Sequence, residues 1–270
     1  MQAWLNDPMV QASLAPFLAG LIVTLALFKL RLGGLAAVAG FCTTAYLAGA
    51  LSFTPPLSAT RKIMLLGGVA PALGLLADLA FRASRMTEYV LGLAFGAASL
   101  WVFSSVLVQK PPMQMVAAGA GLVLFAAWTI GWTASLQRNS VRAGAAGLGL
   151  GLGAGFAALM AATASFAQYG MGLGAAAGAF LLVQMVLGRH IEAGLTFCLT
   201  VGVLGALIAA AAHMLAGLGW TELAILAAVP IAARLPVPMR WPVWAQAILL
   251  SLYTLACGAA AAYMAYRATR

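Results

Sequence analysis

Apolar residues run along this chain in long stretches, broken at intervals by short groups of charged, proline and glycine residues. A half-buried strand alternates apolar and polar positions, and an amphipathic helix shows an apolar stripe. Neither pattern organises these stretches. A helix needs roughly 20 apolar residues to cross the hydrocarbon of a bilayer. Read that way, the chain is expected to form ten segments, at about 13–30, 32–53, 63–81, 89–109, 112–134, 144–167, 171–188, 193–215, 219–234 and 244–266. Lys29 and Arg31 separate the first two, and Thr54-Pro55-Pro56 through Arg61-Lys62 mark the next turn. Arg82, Arg85 and Glu88, then Lys110-Pro111-Pro112, then Gln137 through Arg142 punctuate the middle. Arg189-His190-Ile191-Glu192 and Leu235 through Arg240 close later segments. No charge lies between Arg142 and Arg189, a stretch too long for one helix, and Gln168-Tyr169-Gly170 is the expected break. Pro71 is expected to kink the third segment, and Pro230 to break or shorten the ninth. A barrel strand would alternate over about ten residues. The expected fold class is therefore all-α, a polytopic transmembrane helical bundle.

Composition narrows this further. Of 270 residues, 64% are hydrophobic and 7% charged, where a soluble domain carries about 25% charged residues. So few charges cannot cover a soluble globule of this size. Disorder is excluded by the hydrophobicity, and a disulfide scaffold by having only three cysteines. Cys42, Cys198 and Cys257 fall inside segments without CxxC spacing and read as small packing residues. The first basic residue is Lys29, so the basic start of a signal peptide is missing. Met1 to Ala12 reads as an interfacial lead-in.

The net charge of +9 does not point to nucleic acid, because the basic residues sit in turns. On the ten-segment reading one face carries nine of them: Lys29, Arg31, Arg82, Arg85, Arg138, Arg142, Arg189, Arg234 and Arg240. The other face carries five: Arg61, Lys62, Lys110, Arg267 and Arg270. The more basic face is expected to be cytoplasmic, with both termini outside. The expected location is the plasma membrane, of the bacterial inner-membrane kind.

Boundary residues recur at about half the chain length. Arg61-Lys62-Ile63 opens the third segment and Arg189-His190-Ile191 the eighth. Thr87-Glu88 precedes the fourth, and Thr221-Glu222 opens the ninth. Pro112-Met113-Gln114 starts the fifth, and Pro242 through Gln246 the tenth. This predicts two five-helix halves, 1–138 and 139–270. An odd number of spans per half turns the halves upside down relative to each other, as in secondary transporters with inverted repeats.

On these duplicated marks, Arg61-Lys62-Ile63 with Arg189-His190-Ile191 and Thr87-Glu88 with Thr221-Glu222, the chain resembles the drug/metabolite transporter superfamily. The resemblance is architectural and covers the whole chain. It implies ten short helices and alternating access. That superfamily's usual sequence signatures are not present, so no functional residue carries over. Other five-plus-five folds, such as the bile-acid symporter type, stay open.

The chemistry-bearing residues are few. Asp78 lies about one turn before the end of the third segment and His213 at nearly the matching place in the eighth. Both are candidates for coupling transport to protons. For Asp78 the alternative is a surface pair with Arg82, four residues on. Glu88, Glu192 and Glu222 sit at helix starts, where a carboxylate suits the helix dipole. Thr43, Thr44, Trp101, Gln114, Trp128, Gln184 and Gln246 are the candidate lining of a substrate cavity. Ser and Thr also satisfy their own helix backbone, and Trp132, Trp241 and Trp244 suit the interface. Glycines at 147, 149, 151, 153 and 155 stand in GxxxG register, for tight helix packing, a sliding surface or an oligomer contact.

Enzyme classes are discounted. There is no GxSxG, HExxH or P-loop. His190 and His213 would lie roughly 35 Å apart on one helix, so they cannot share a haem or metal. No Asp-rich cluster exists for a diphosphate-metal site, and no mid-span lysine for a retinal Schiff base. No cofactor is expected. The leading expectation is a secondary transporter of a small neutral or amphipathic metabolite. The alternatives are a membrane scaffold or accessory subunit, and a flippase for a lipid or lipid-linked sugar. The expected partners are the bilayer, a small-molecule substrate and other subunits through the glycine-rich helices.

Overall fold

A backbone in hydrocarbon must bond every N–H and C=O internally, and helices do so segment by segment. The computed structural model describes residues 7–30, 32–50, 57–80, 85–238 and 240–270. Among these residues the fold is helical, with no strand. Ten helical segments follow one another: α1 (Val10–Leu30), α2 (Gly33–Leu47), α3 (Ala59–Ala80), α4 (Arg85–Leu107) and α5 (Pro112–Ala134). Then come α6 (Ser140–Met160), α7 (Ala164–Leu187), α8 (Gly194–Ala216), α9 (Trp220–Ala232) and α10 (Val243–Ala268). Eight of these are long and apolar enough to cross a membrane, whereas α2 and α9 are shorter. At 1.5 Å per residue those two reach only about 20 Å. The chain is thus a multi-pass helical membrane bundle.

Several expected boundaries shift. The break between α6 and α7 is at Ala161-Ala162-Thr163, not at Gln168-Tyr169-Gly170, which lies inside α7. Ala162 adopts φ 63°, a left-handed conformation that stops the helix without any polar signal. The second segment ends at Leu47 rather than near 53. The turn at Thr54-Pro55-Pro56, the marker Arg31 and the proposed Asp78–Arg82 pair lie outside the described residues. Pro71 sits within a continuous α3. Pro230 does break α9, which is interrupted at Ala228. There the Trp128 indole Nε1–H donates to Ala227 O at 3.2 Å, so a neighbouring side chain serves the freed backbone.

The centre of the bundle is α8. Every residue from Leu195 to Ala212 is buried. It is wrapped by α3, α5, α6 and α7, with α2, α4 and α9 completing the shell. Around it, α6 pairs closely with α7 and α10, α4 with α5, and α1 with α2 and α7. The α6–α7 crossing is tight because it is glycine on glycine. A Cβ at Gly151 would stand 2.6 Å from Gly174 Cα, and one at Gly170 would stand 2.6 Å from Gly155 Cα. Phe180 and Phe197 stack at 4.6 Å where α7 meets α8.

Candidate functional site

Both ends of α8 carry polar chemistry. At its N-terminus the first N–H groups have no intrahelical acceptor. Asp78, from the end of α3, supplies one. Its Oδ1 accepts from Leu195 N–H at 2.8 Å, and its Oδ2 from Thr196 N–H at 2.9 Å and Thr196 Oγ1–H at 2.7 Å. An anion there also meets the positive end of the helix dipole. Gly194 makes this approach possible with φ 64°, and any Cβ on it would collide with Asp78 Oδ2. A cavity of about 340 Å³ opens beside the cap, with Glu192 on its wall.

At the other end, His213 Nδ1 bonds Leu218 O in the turn after α8. A carbonyl can only accept, so Nδ1 carries the proton. The imidazole packs on Trp220 with ring centroids 4.2 Å apart. These two side chains, with Gln114 of α5 and Lys110 of the α4–α5 turn, line a cavity of about 390 Å³. An apolar cavity of about 570 Å³ adjoins it, sharing Gly121 and Trp220 and lined further by Leu124, Trp128 and Ile231. Together they form one groove between α5 and α9. Leu124 is 71% and Trp128 46% exposed, so the groove faces the surroundings of the bundle rather than its interior.

The groove lies where α9 is held against the bundle at both ends and, at its middle, by the Trp128 Nε1–H bond to Ala227 O. One end is fixed by the His213–Trp220 contact. At the other, Arg142 Nη1 donates to Ala233 O at 2.8 Å and Leu235 O at 3.1 Å. The Arg234 guanidinium lies 4.3 Å over the Trp132 ring. Gly121 lets the Trp220 indole lie against α5, where a Cβ would come within 2.5 Å of the ring.

Of the residues singled out from sequence, Gln114, Trp128 and His213 meet in this groove. The others stand elsewhere. Thr43 and Thr44 hydroxyls donate to Ala39 O and Gly40 O one turn back. Trp101 packs under Lys62, whose Nζ lies 5.1 Å from its ring centroid and donates to Trp101 O at 2.9 Å. Gln184 is fully buried, accepts from Ser140 Oγ–H at 2.6 Å, and ties the start of α6 to α7. Gln246 Nε2 donates to Trp241 O at 2.8 Å in the lead-in to α10. Asp78 and His213 sit at opposite ends of α8, about 26 Å apart along its axis. Glu88 is buried and accepts from Gln137 Nε2 at 2.6 Å. Glu222 is buried in the first turn of α9, and its Oε2 has no hydrogen-bond partner among the described residues.

Lys110 and Trp220 are the groove residues that sequence reasoning missed. Lys110 reads from sequence only as punctuation before Pro111-Pro112. A signal was present: residues 114, 117, 118, 121, 124, 125 and 128 follow one helix face from polar to apolar, directly after a lysine. No protein-family model and no curated protein matches this chain.

Proposed function

We propose that this chain is a membrane transporter whose substrate is amphipathic and dissolved in the bilayer, moved along the α5–α9 groove. The observation that carries this reading is the groove itself: polar at one mouth, apolar along its length, open sideways, and set against a centre filled by α8. A substrate that enters from lipid needs a sideways opening, whereas a water-soluble one needs a central path. Transport of a lipid-like molecule is therefore favoured over transport of a small hydrophilic metabolite. Cations stand near both ends, Lys110 at one and Arg234 one turn beyond Ile231 at the other. The groove spans about 21 Å of α5 from Gln114 to Trp128, most of the hydrocarbon thickness.

We further propose that the two five-helix halves, 1–138 and 139–270, form an inverted pair of the kind seen in the drug/metabolite transporter superfamily. Part of the pairing pattern is consistent with it: α1 with α2 resembles α6 with α7, and α4 with α5 resembles α9 with α10, whereas the close α6–α10 pair has no close α1–α5 counterpart. The pairs α3–α8 and α2–α7 would map onto themselves under exchange of the halves. We also propose a plasma membrane of the bacterial inner-membrane kind as its location. Proton coupling through His213 fits its place in the wall of the polar mouth.

Reconstituted vesicles with a fluorescent short-chain phospholipid test this. The full chain should speed exchange between leaflets at least tenfold over protein-free vesicles. Ala224→Phe fills the groove from an exposed position on α9 and should remove most of that gain while folding normally. Equal rates with and without protein would overturn transport of lipid-like substrates. They would favour an accessory subunit that uses the groove only as a contact surface.

A further inference from the structure

The polar mouth of the groove has a composition that selects a headgroup. Lys110 is half-buried, and no hydrogen bond or ion pair satisfies its ammonium among the described residues. In a site at the end of a span, such a cation is costly to leave without a counter-charge. Gln114 lies on the same wall, is exposed, and has no hydrogen-bond partner among the described residues. Its amide offers two N–H donors. His213 spends Nδ1 on Leu218 O, which leaves Nε2 as its unengaged nitrogen. The nearest carboxylate on α9, Glu222, is buried and does not line the mouth. The mouth therefore presents one full positive charge and neutral hydrogen-bonding groups, with no anion on its wall. Directly below, the wall turns apolar at Gly121, and Leu124, Trp128 and Ile231 continue it.

We propose that this groove binds an anionic phospholipid, its phosphate against Lys110 and Gln114 and one acyl chain along Leu124, Trp128 and Ile231. The inference rests on the function proposed above, since it names the substrate class of the same groove. Charge complementarity chooses the head, and the adjoining apolar channel requires the chain. Free phosphate would satisfy the lysine and leave the 570 Å³ channel unused. A zwitterionic lipid carries its own ammonium, which would stand against Lys110.

The test measures binding without transport. The full chain is placed in phosphatidylcholine nanodiscs, and phosphatidylglycerol with brominated acyl chains is titrated in. Tryptophan quenching is read, and the groove component is the part lost in Trp128→Phe. Half-saturation is expected at about a tenfold lower mole fraction for brominated phosphatidylglycerol than for brominated phosphatidylcholine. Lys110→Glu should remove that preference, since each juxtamembrane cation shifts anionic lipid binding severalfold. Lys110→Arg should keep it. Ala224→Phe should suppress groove quenching by both lipids. Equal quenching by the two lipids in the wild type would overturn the headgroup assignment, as would an unchanged preference in Lys110→Glu. Groove quenching absent with both brominated lipids would overturn the lipid as occupant. These outcomes are separate from the vesicle assay. Lipid selectivity without leaflet exchange removes the transport reading alone, and exchange without selectivity removes the headgroup alone.

Discussion

Gly151→Leu is expected to cut the yield of folded protein by tenfold or more. A Cβ at this position would meet Gly174 Cα at 2.6 Å and Gly170 O at 3.0 Å, both backbone atoms of α7. Backbone cannot swing aside as a side chain can, so α6 and α7 must move apart. In lipid the tails outside are as apolar as the helix faces, and helix association rests on close van der Waals contact. Separating this pair also loosens the contacts that α6 makes with α8 and α10. Overpacking a dense site costs about 1–3 kcal/mol, and more where only backbone yields. Size-exclusion profiles and thermal melts in detergent would show the loss. Gly68→Ala is the control: nothing lies within 4 Å of its Cβ, so it should melt at or slightly above wild type. If Gly151→Leu melted with the control, the α6–α7 contact would not carry the fold.

Asp78→Ala is expected to lower stability by about 2 kcal/mol, the range found for losing an acidic helix cap with charged hydrogen bonds. The substitution strips the acceptor from Leu195 N–H and Thr196 N–H, both on buried residues. Asp78→Asn keeps one acceptor oxygen and loses the other together with the charge, so its loss should be intermediate. Chemical or thermal denaturation would rank the three proteins. Identical melting of wild type and Asp78→Ala would remove the cap from the account of the fold. The same pair addresses coupling. Transport whose pH dependence survives in Asp78→Asn leaves this carboxylate with the cap alone.

Much of the helix order was legible because charges and prolines are expensive inside a membrane and so collect at turns. Lys110-Pro111-Pro112 marks the α4–α5 turn, and Asn139 caps α6 by accepting from Arg142 N–H at 3.2 Å. The α6–α7 break is not legible in the sequence because Ala161-Ala162-Thr163 carries no charge, proline or glycine. Gln168-Tyr169-Gly170 looked like a turn, yet Gly170 is needed inside α7 for its contact with Gly155. Pro71 does not end α3, which runs on through it.

The candidate site was legible by residue and not by assembly. Gln114, Trp128 and His213 stand out as polar or aromatic residues in apolar segments. Their meeting depends on where the short α9 packs, which is set by Arg142 reaching Ala233 O and Leu235 O from the start of α6. Those residues are about 90 positions apart in the chain. Asp78 stands out in the sequence for its charge, but its role as the cap of α8 depends on α3 and α8 being neighbours.

The amino-acid sequence determines the solvent, because 7% charge cannot clothe a soluble globule, and with it the helical class and the approximate turns. Which helix is central was decided only in three dimensions. The windows of α1 and α8 have mean hydropathies of 2.0 and 2.2, yet they are 17% and 100% buried respectively. In water, apolar residues sort themselves inward, and burial can be read from hydropathy. In a bilayer both the lipid and the neighbouring helix are apolar, so hydropathy cannot tell one face from the other. Steric fit between small residues, the capping of α8 by Asp78 and the anchoring of α9 by Arg142 choose the neighbours. The groove follows from those choices.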